Sequence, residues 1–566
     1  MTQPPSQATG HPFGGTPTPL DERTYQVGRL EAETWDVLIV GGGIVGAGAL
    51  LDAASRGLRA ALVEQSDISA GTSSRSSRLI HGGLRYLEQL QFPLVREALA
   101  ERRRLLRNAP HLVTLQPLLF PIYGLPFATK AFYDAGLTLY DILGARHDGG
   151  WHRRLNVRDT LAIAPSLRTR GLRGGLLFHD AMEDDARFTL AVLRTALASE
   201  AAPLAVTRAR ATGVRTDPRT GRVRGLAVQD LLSGAKLEVK ARSVVDATGV
   251  WAADEAHPFA SPTMRLLPSR GAHLVVPRGR IPASTGLTIR VPGKIIFLVP
   301  WPDHWLIGTT DAPFDGPSDR PTAAPWEVDM LLATVNETFD VGLSRTDIVG
   351  TYAGLRPLIA PSGGSTVKAS REHKVTAEDN GIVRIGGGKY TTYRVMARDV
   401  IDAAVRGMDA PDRSTAPSAT ADLMLVGAAP RRELDGLTLT LAADPELAAV
   451  HPEAAARLVA RHGTQALDVL ALGRELDLVR PLVAGRPFLK AEVAWAARCE
   501  SALSLDDVLS RRLRLAMELP DRGAAIAPRV AAILGAELGW DADRQSRECT
   551  AYLAGAEREF AVPPPA

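Results

Sequence analysis

Residues 36–48 read Asp-Val-Leu-Ile-Val-Gly-Gly-Gly-Ile-Val-Gly-Ala-Gly, and this stretch decides the fold. The apolar run at 36–40 is typical of a fully buried strand in a parallel sheet. A helix is predicted over 49–56, and a second apolar run over 60–63 ends at Glu64. The three segments make a β-α-β unit, the building block of nucleotide-binding α/β domains.

The glycines between the first strand and the helix form a GxGxxG loop of Gly41, Gly43 and Gly46. Without side chains, the backbone N–H groups can approach a pyrophosphate, and the helix N-terminus stabilises its negative charge. Glu64 follows about 20 residues later, where a carboxylate binds ribose hydroxyls. The same carboxylate would repel a 2′-phosphate, which disfavours NADP.

Further hydroxyl and glycine runs favour FAD over NAD. The Ser- and Thr-rich stretch 71–78 suits a second set of phosphate and flavin contacts, and it continues into His81. A glycine run at 386–388 opens another helix, whose N-terminus would stabilise a reduced, anionic flavin. We predict non-covalently bound FAD. The predicted cofactor-binding residues are Gly41, Gly43, Gly46, Glu64, Thr72, Ser73, Ser74, His81, Gly82, Gly83, Thr248, Gly249, Gly387, Gly388, Lys389, Thr391 and Thr392.

The chain has 566 residues, and the spacing of these motifs predicts that segments of two domains alternate along it. Residues 1–33 are predicted to be a disordered tail, and 34–408 an FAD-binding domain interleaved with a substrate cap built from about 106–180 and 265–340. A linker at 409–420 leads to an all-helical domain at 421–566. The fold class is an FAD-binding, Rossmann-like α/β fold of the glutathione-reductase or amino-acid-oxidase type, with an inserted β-sheet cap and a helical C-terminal domain.

Composition excludes several classes of protein. Hydrophobic residues make up 45% of the chain, which excludes disorder over its whole length, and a net charge of +3 argues against a dedicated nucleic-acid binder. Cys499 and Cys549 cannot form a disulfide framework, which fits a reducing compartment. No HExxH or Cys/His cluster indicates a metal, and no secretory signal or long apolar run is present. The expected location is intracellular.

The chain resembles the FAD-dependent glycerol-3-phosphate dehydrogenases, the aerobic quinone-linked enzymes of bacteria and their mitochondrial relatives. His-Gly-Gly-Leu-Arg-Tyr at 81–86 and Gly-Leu-Arg-Pro-Leu at 354–358 are the most specific matches. The other matching stretches are 41–48, 72–88, 184–187, 246–251, 307–311, 352–358 and 387–394.

The resemblance implies oxidation of sn-glycerol 3-phosphate to dihydroxyacetone phosphate, with hydride transfer from C2 to flavin N5. The substrate is dianionic, so its site needs fixed cations. Our hypothesis makes His273 the base and has Arg356 lower the pKa of the alcohol. Asp185 and Asp311 either orient the cations or form structural salt bridges. The resemblance assigns substrate binding to Arg85, Tyr86, Arg356, Arg371 and Lys389.

Family members pass electrons to ubiquinone or menaquinone on the membrane surface, which implies a peripheral protein on the cytoplasmic face of the inner membrane. The apolar segments 117–127 and 137–143 are a membrane-insertion surface if exposed and part of the cap if buried. A homodimer is a further possibility. Alternatives are a glycerol-3-phosphate oxidase that reduces dioxygen to peroxide, an amino-acid-oxidase-like flavoenzyme, and an electron-carrier subunit without its own substrate. The cationic positions argue against the last two.

Overall fold

The computed structural model describes residues 18–83, 91–124, 136–142, 150–253, 264–291, 294–360, 372–408 and 415–565. In chain order, the strands are β1 (Thr34–Val40), β2 (Ala60–Glu64), β3 (Leu79–Ile80), β4 (Val113–Tyr123), β5 (Arg153–Leu155), β6 (Leu172–Glu183), β7 (Leu204–Thr207), β8 (Ala209–Thr216), β9 (Val223–Asp230), β10 (Lys236–Asp246), β11 (Leu266–Pro277), β12 (Gly286–Val291), β13 (Lys294–Trp301), β14 (His304–Gly308), β15 (Ala312–Pro313), β16 (Gly350–Ile359), β17 (His373–Ala377) and β18 (Ile382–Gly387). The α-helices with both ends described are α1 (Pro19–Ala32), α2 (Ile44–Ser55), α3 (Phe92–Asn108), α4 (Val157–Ile163), α5 (Asp185–Leu197), α6 (Pro325–Thr338), α7 (Tyr393–Gly407), α8 (Arg431–Ala442), α9 (Pro445–Val450), α10 (Ala454–His462), α11 (Ala466–Glu475), α12 (Ala491–Glu500), α13 (Leu515–Glu518), α14 (Ala527–Leu538) and α15 (Ala542–Phe560).

The first sheet has eight strands, with β17, β18, β10, β1, β2 and β7 side by side, β9 paired to β10, and β8 paired to β9. Strands β18, β10, β1, β2 and β7 run parallel. Their carboxyl ends therefore meet at one edge, which is where open α/β sheets bind ligands. The predicted β-α-β unit is confirmed.

Helix α2 begins five residues earlier than the predicted start at 49, directly after Gly43. Its glycines lower helix propensity and concealed this turn from the sequence pattern. Close packing requires them: a Cβ on Gly46 would collide with the carbonyl oxygen of Gly41, and a Cβ on Gly48 would lie 2.8 Å from the ring of Tyr393.

The second sheet has ten strands, ordered β15, β11, β14, β13, β12, β4, β6 and β3, with β16 paired to β11 and β5 to β6. Alternation along β11 separates its two faces. Ala272, Leu274 and Val276 pack in one apolar cluster with α6. Gly271 and His273 instead line a cavity between this sheet and the first. The predicted cap sheet is therefore present, and it also recruits β3 and β16 from outside the predicted cap segments.

The apolar segment at 117–127 lies largely inside the cap. Residues 117–123 belong to β4, between β12 and β6, and Leu118, Leu119, Phe120 and Ile122 are buried there. Of the two alternatives left open by the sequence, the structure therefore supports the second for residues 117–123, because their apolar side chains pack in the core of the cap. Residues 125–127 and 143 lie outside the described residues, while Leu137 and Tyr140 are buried. Across the described ranges, no helix combines the length and apolar character needed to cross a bilayer.

The C-terminal region from 431 to 560 is helical, as predicted. It does not pack as an independent domain. Its core is continuous with the cap sheet, because Val275, Trp301 and Tyr352 share one buried cluster with Met517 and Phe560.

Residues 19–32 correct the prediction of a disordered tail through residue 33. They form α1, which Thr18 and Asp21 start with a reciprocal capping box. Arg23 of this helix is buried and lies 2.6 Å from Asp230 on β9, and Leu30 is buried with β1. The capping box could be recognised in the sequence, whereas the pairing of Arg23 with Asp230, 207 residues away, could not.

Candidate active site

A cavity of about 570 Å³ runs from the glycine loop after β1 to the inner face of the cap sheet. Gly41 lines it with φ of +109°, and a Cβ there would lie 2.7 Å from the carbonyl oxygen of Ala247. Only glycine fits so close to the neighbouring strand end. The volume is within the usual range for a cofactor or small-molecule site.

Glu64 and Ser73 both contact the backbone of the glycine loop. Glu64, at the end of β2, accepts hydrogen bonds from the N–H of Gly42 at 2.6 Å and of Ser66 at 2.7 Å. Burial raises the pKa of this carboxyl. Ser73 accepts a hydrogen bond from the N–H of Ile44, the first residue of α2, at 2.9 Å. The serine-rich stretch therefore meets the phosphate-binding loop in space.

A second helix N-terminus faces the same cavity from the other side. Gly387 ends β18 and Gly388 follows it, with φ of +74° and +80°, and the cavity is lined by residues 387–391 just before α7. The orphan N–H groups of a helix start carry partial positive charge. The cavity thus has two anion-favouring helix starts.

His273 lies on β11 at the inner wall, with only 3% of its surface exposed. Its Nε2 is 2.8 Å from Oγ of Ser77, and its ring stacks on Tyr352 with centroids 4.6 Å apart and planes 7° apart. Burial lowers the pKa of His273 to about 3, and the cations Arg356 and Arg78 reinforce this shift. The imidazole is therefore neutral at physiological pH, and a neutral imidazole carries one ring nitrogen with a lone pair.

Arg356 reaches the same wall from β16, which pairs with β11. A Cβ on Gly271 would lie 2.6 Å from its Nη2, so the guanidinium rests on the strand where that residue has no side chain. It donates to Oγ1 of Thr309 at 3.0 Å, and its Nη1 is 3.6 Å from Asp311. A cation and a neutral imidazole thus share one face of the cap sheet.

The cavity brings together most of the predicted site residues. Those that line it are Gly41, Gly43, Glu64, Thr72, Ser73, His81, Thr248, Gly249, His273, Arg356, Gly387, Gly388, Lys389 and Thr391.

The remaining predicted site residues do not line the cavity or are not described. Gly46 serves helix packing, Gly82 donates its N–H to the hydroxyl of Tyr140 at 2.8 Å, and Thr392 donates to the carbonyl oxygen of Lys389. Gly83 is buried, and Ser74 donates to the carbonyl oxygen of Gly71. Arg85, Tyr86 and Arg371 lie outside the described residues.

Comparison with known proteins agrees with the dinucleotide-binding cavity that the geometry indicates. Residues 36–394 match the family model described as FAD dependent oxidoreductase, and 418–545 match the C-terminal domain of alpha-glycerophosphate oxidase. A Mycobacterium tuberculosis protein named Glycerol-3-phosphate dehydrogenase 2 is 42% identical over 94% of this chain and 89% of its own length. The human mitochondrial glycerol-3-phosphate dehydrogenase is 34% identical over 90% and 71%. The chain belongs to the FAD-dependent glycerol-3-phosphate dehydrogenase family.

A solved family structure extends the likeness to three dimensions. The glycerol-3-phosphate dehydrogenase from Bacillus halodurans, complexed with FAD, superposes with a TM-score of 0.76 at 26% identity and covers 95% of this chain and 97% of its own. The L-alpha-glycerophosphate oxidase of Mycoplasma pneumoniae shares the fold, with a TM-score of 0.54 at 17% identity.

The residues present fit the family's FAD. Two helix starts, a glycine loop with no room for side chains and the carboxylate of Glu64 supply what a dinucleotide needs.

Sequence reasoning missed the neighbours of His273 and one wall of the cavity. Ser77 and Tyr352 lay inside quoted motifs, but their contact with a histidine about 200 and 80 positions away had no local signal. The C-terminal residues Arg511 and Glu559 also line the cavity. Asp185 accepts a hydrogen bond from the N–H of Ser76 and forms an ion pair with Arg514.

Proposed function

We propose that the chain oxidises sn-glycerol 3-phosphate to dihydroxyacetone phosphate. The observation that carries this is the pairing of a neutral His273 with the Arg356 guanidinium on one wall of the FAD cavity. When bound, FAD supplies the two-electron acceptor that takes the C2 hydrogen with its electron pair.

Arg356 supports the choice of a phosphorylated substrate. A guanidinium presents a planar fork that matches phosphate oxygens. Its hydrogen bonds to Thr309 and to the carbonyl oxygen of Thr310 fix its position, and 24% of the side chain stays accessible from the cavity. Lys389, at the start of the second helix, would add a cation near the flavin and the substrate. Arg85, Tyr86 and Arg371 are proposed as further substrate contacts from the family motif.

His273 would take the proton of the C2 hydroxyl. Because Nε2 is 2.8 Å from Oγ of Ser77, the proton reaches this nitrogen through the Ser77 hydroxyl. The C2 hydrogen leaves with its electron pair, the C2–O bond becomes a carbonyl, and the imidazole becomes cationic. Tyr352, stacked on the ring, holds it in place for both states.

We further propose that a membrane quinone accepts the electrons and that the protein acts as a peripheral protein on the cytoplasmic face of the inner membrane. The dehydrogenase names of the relatives support this acceptor over dioxygen. Release of peroxide in air with no quinone reductase activity would favour an oxidase instead.

An anaerobic titration tests the substrate. The purified yellow protein is mixed with sn-glycerol 3-phosphate, glycerol or glycine, and the flavin absorbance is followed before quinone or air is added. Bleaching by glycerol 3-phosphate at much lower concentration than by glycerol is expected. Bleaching by glycine, or no bleaching by the phosphate ester, would refute the proposal.

A further inference from the structure

Residues 67–78, here called the serine loop, are held at five points by the C-terminal helical region. At the start of the loop, the buried carboxylate of Asp67 is 2.5 Å from Nε of Arg511 and 2.7 Å from Nη1 of Arg512. Arg75 is 2.7 Å from Glu559 near the end of α15, with both side chains about 6% exposed. At the end of the loop, Arg78 donates to the sulfur of Met517 at 3.0 Å.

The fifth point is Arg514, which reaches the centre of the loop. Its Nη2 donates to the carbonyl oxygen of Ser74 at 2.8 Å and to Oδ1 of Asp185 at 2.6 Å. The other carboxylate oxygen of Asp185 accepts the N–H of Ser76 at 2.8 Å. Arg514 is 3% exposed and has a left-handed backbone with φ of +64°, so local strain is tolerated where the guanidinium is aimed.

The serine loop positions two hydroxyls in the cavity. Ser73 holds the first N–H of α2, and Ser77 lies 2.8 Å from Nε2 of His273. The backbone between them is also fixed from the cap, because the hydroxyl of Tyr352 donates to the carbonyl oxygen of Ser76 at 3.0 Å. Displacement of the loop would therefore move Ser77 away from His273.

We propose that the C-terminal helical region positions the serine loop for catalysis, with Arg514 and Glu559 as positioning residues that act through Ser77. This inference rests on the proposed function of His273 and Ser77. It gives the helical region a role in the reaction that is exerted through the serine loop.

The test compares charge-conserving and isosteric changes with matched controls. Arg514→Lys keeps the charge but shortens the side chain and removes the planar guanidinium whose Nη2 reaches both Ser74 and Asp185. Glu559→Gln weakens the hold of helix α15 on Arg75. Arg461→Lys is the control for the first, because Arg461 forms an equally close pair, 2.6 Å from Glu492, that reaches no residue of the loop. Tyr552→Phe is the control on α15, since its hydroxyl donates to the carbonyl oxygen of Arg522, which lies outside the serine loop.

The activity readout is single-turnover flavin bleaching by glycerol 3-phosphate in FAD-loaded protein. A displacement of about 1 Å costs on the order of 100-fold in rate. We expect a loss approaching that size in Arg514→Lys, a smaller loss in Glu559→Gln, and unchanged rates in both controls. In a Ser77→Ala background, Arg514→Lys should add little, because the two changes remove one interaction.

Amide hydrogen exchange of peptides covering 67–78 gives a readout independent of turnover. Faster exchange is expected in Arg514→Lys and Glu559→Gln, and unchanged exchange in the controls. Wild-type rates in both variants, equal losses in the controls, or multiplicative effects with Ser77→Ala would overturn the proposal. If wild-type protein is not bleached at all, the proposed function fails, and the exchange data alone decide whether the loop is held.

Discussion

Acidification should destabilise the protein through His273. Burial and the cations Arg356 and Arg78 lower its pKa to about 3, against 6.5 for an exposed imidazole. Below pH 6.5 the unfolded chain therefore binds a proton that the native protein does not. Native stability falls as the pH drops from 6.5 towards 3, and the full neutral-state stability is present above 6.5.

The size of the effect follows from the two pKa values. Each pH unit between them costs about 1.4 kcal/mol per group, so acidification from pH 7 to pH 5 removes about 2 kcal/mol through His273 alone. Other buried histidines contribute in the same direction, since the pKa of His111 is lowered to about 3 and that of His462 to about 4. The contribution of His273 must therefore be measured as the difference in stability loss between the wild type and a variant that lacks this histidine.

The comparison is between wild type and His273→Asn, which cannot titrate. Urea unfolding at pH 7 and pH 5 should show the wild type losing about 2 kcal/mol more than the variant. In ¹³C-histidine-labelled protein, the resonance missing from the variant should not titrate between pH 7 and pH 5. Parallel losses of stability, or a titration midpoint near 6.5, would refute the burial argument and with it the neutral base.

Two substitutions test the walls of the cavity. Gly271→Ala would place a Cβ 2.6 Å from Nη2 of Arg356, so KM for glycerol 3-phosphate should rise about 10-fold or more, which corresponds to a loss of about 1.4 kcal/mol in binding free energy. Gly279→Ala is the control, because the space around Gly279 is open, and it should leave steady-state kinetics unchanged. Equal kinetics in the two variants would count against the site. Ser73→Ala removes the acceptor for the N–H of Ile44 and should weaken FAD binding about 5- to 10-fold, from about 1 kcal/mol per hydrogen bond, as measured by fluorescence of released flavin; unchanged affinity would show that the contact is irrelevant to the cofactor.

The first sheet was predictable because its signals are local. The strand at 36–40, the glycine loop and Glu64 lie within about 30 residues, and alternation or apolar runs mark each one. The start of α2 was misplaced because its glycines serve packing against Gly41 and Tyr393, which depends on tertiary neighbours. Helix α1 was missed although its capping box is local, since a Pro- and Gly-rich stretch precedes it.

The site was predictable only as far as motifs reach. His273 and Arg356 came from family resemblance, and β-pairing explains why they meet: Ser269 of β11 lies opposite Arg356, and His273 lies opposite Tyr352. The contribution of the C-terminal region could not be inferred, because Arg514 and Ser74 are 440 positions apart. Arginines in a helical region usually indicate a solvent-exposed face, and only the fold shows that Arg514 is buried.

Rapid mixing of His273→Ala and wild-type protein with glycerol 3-phosphate tests the central claim most directly. With equal FAD content in both, the variant should reduce its flavin about 10²- to 10⁴-fold more slowly, as loss of a general base requires. Flavin reduction by the variant at a near-normal rate would contradict the assignment of His273 as the base.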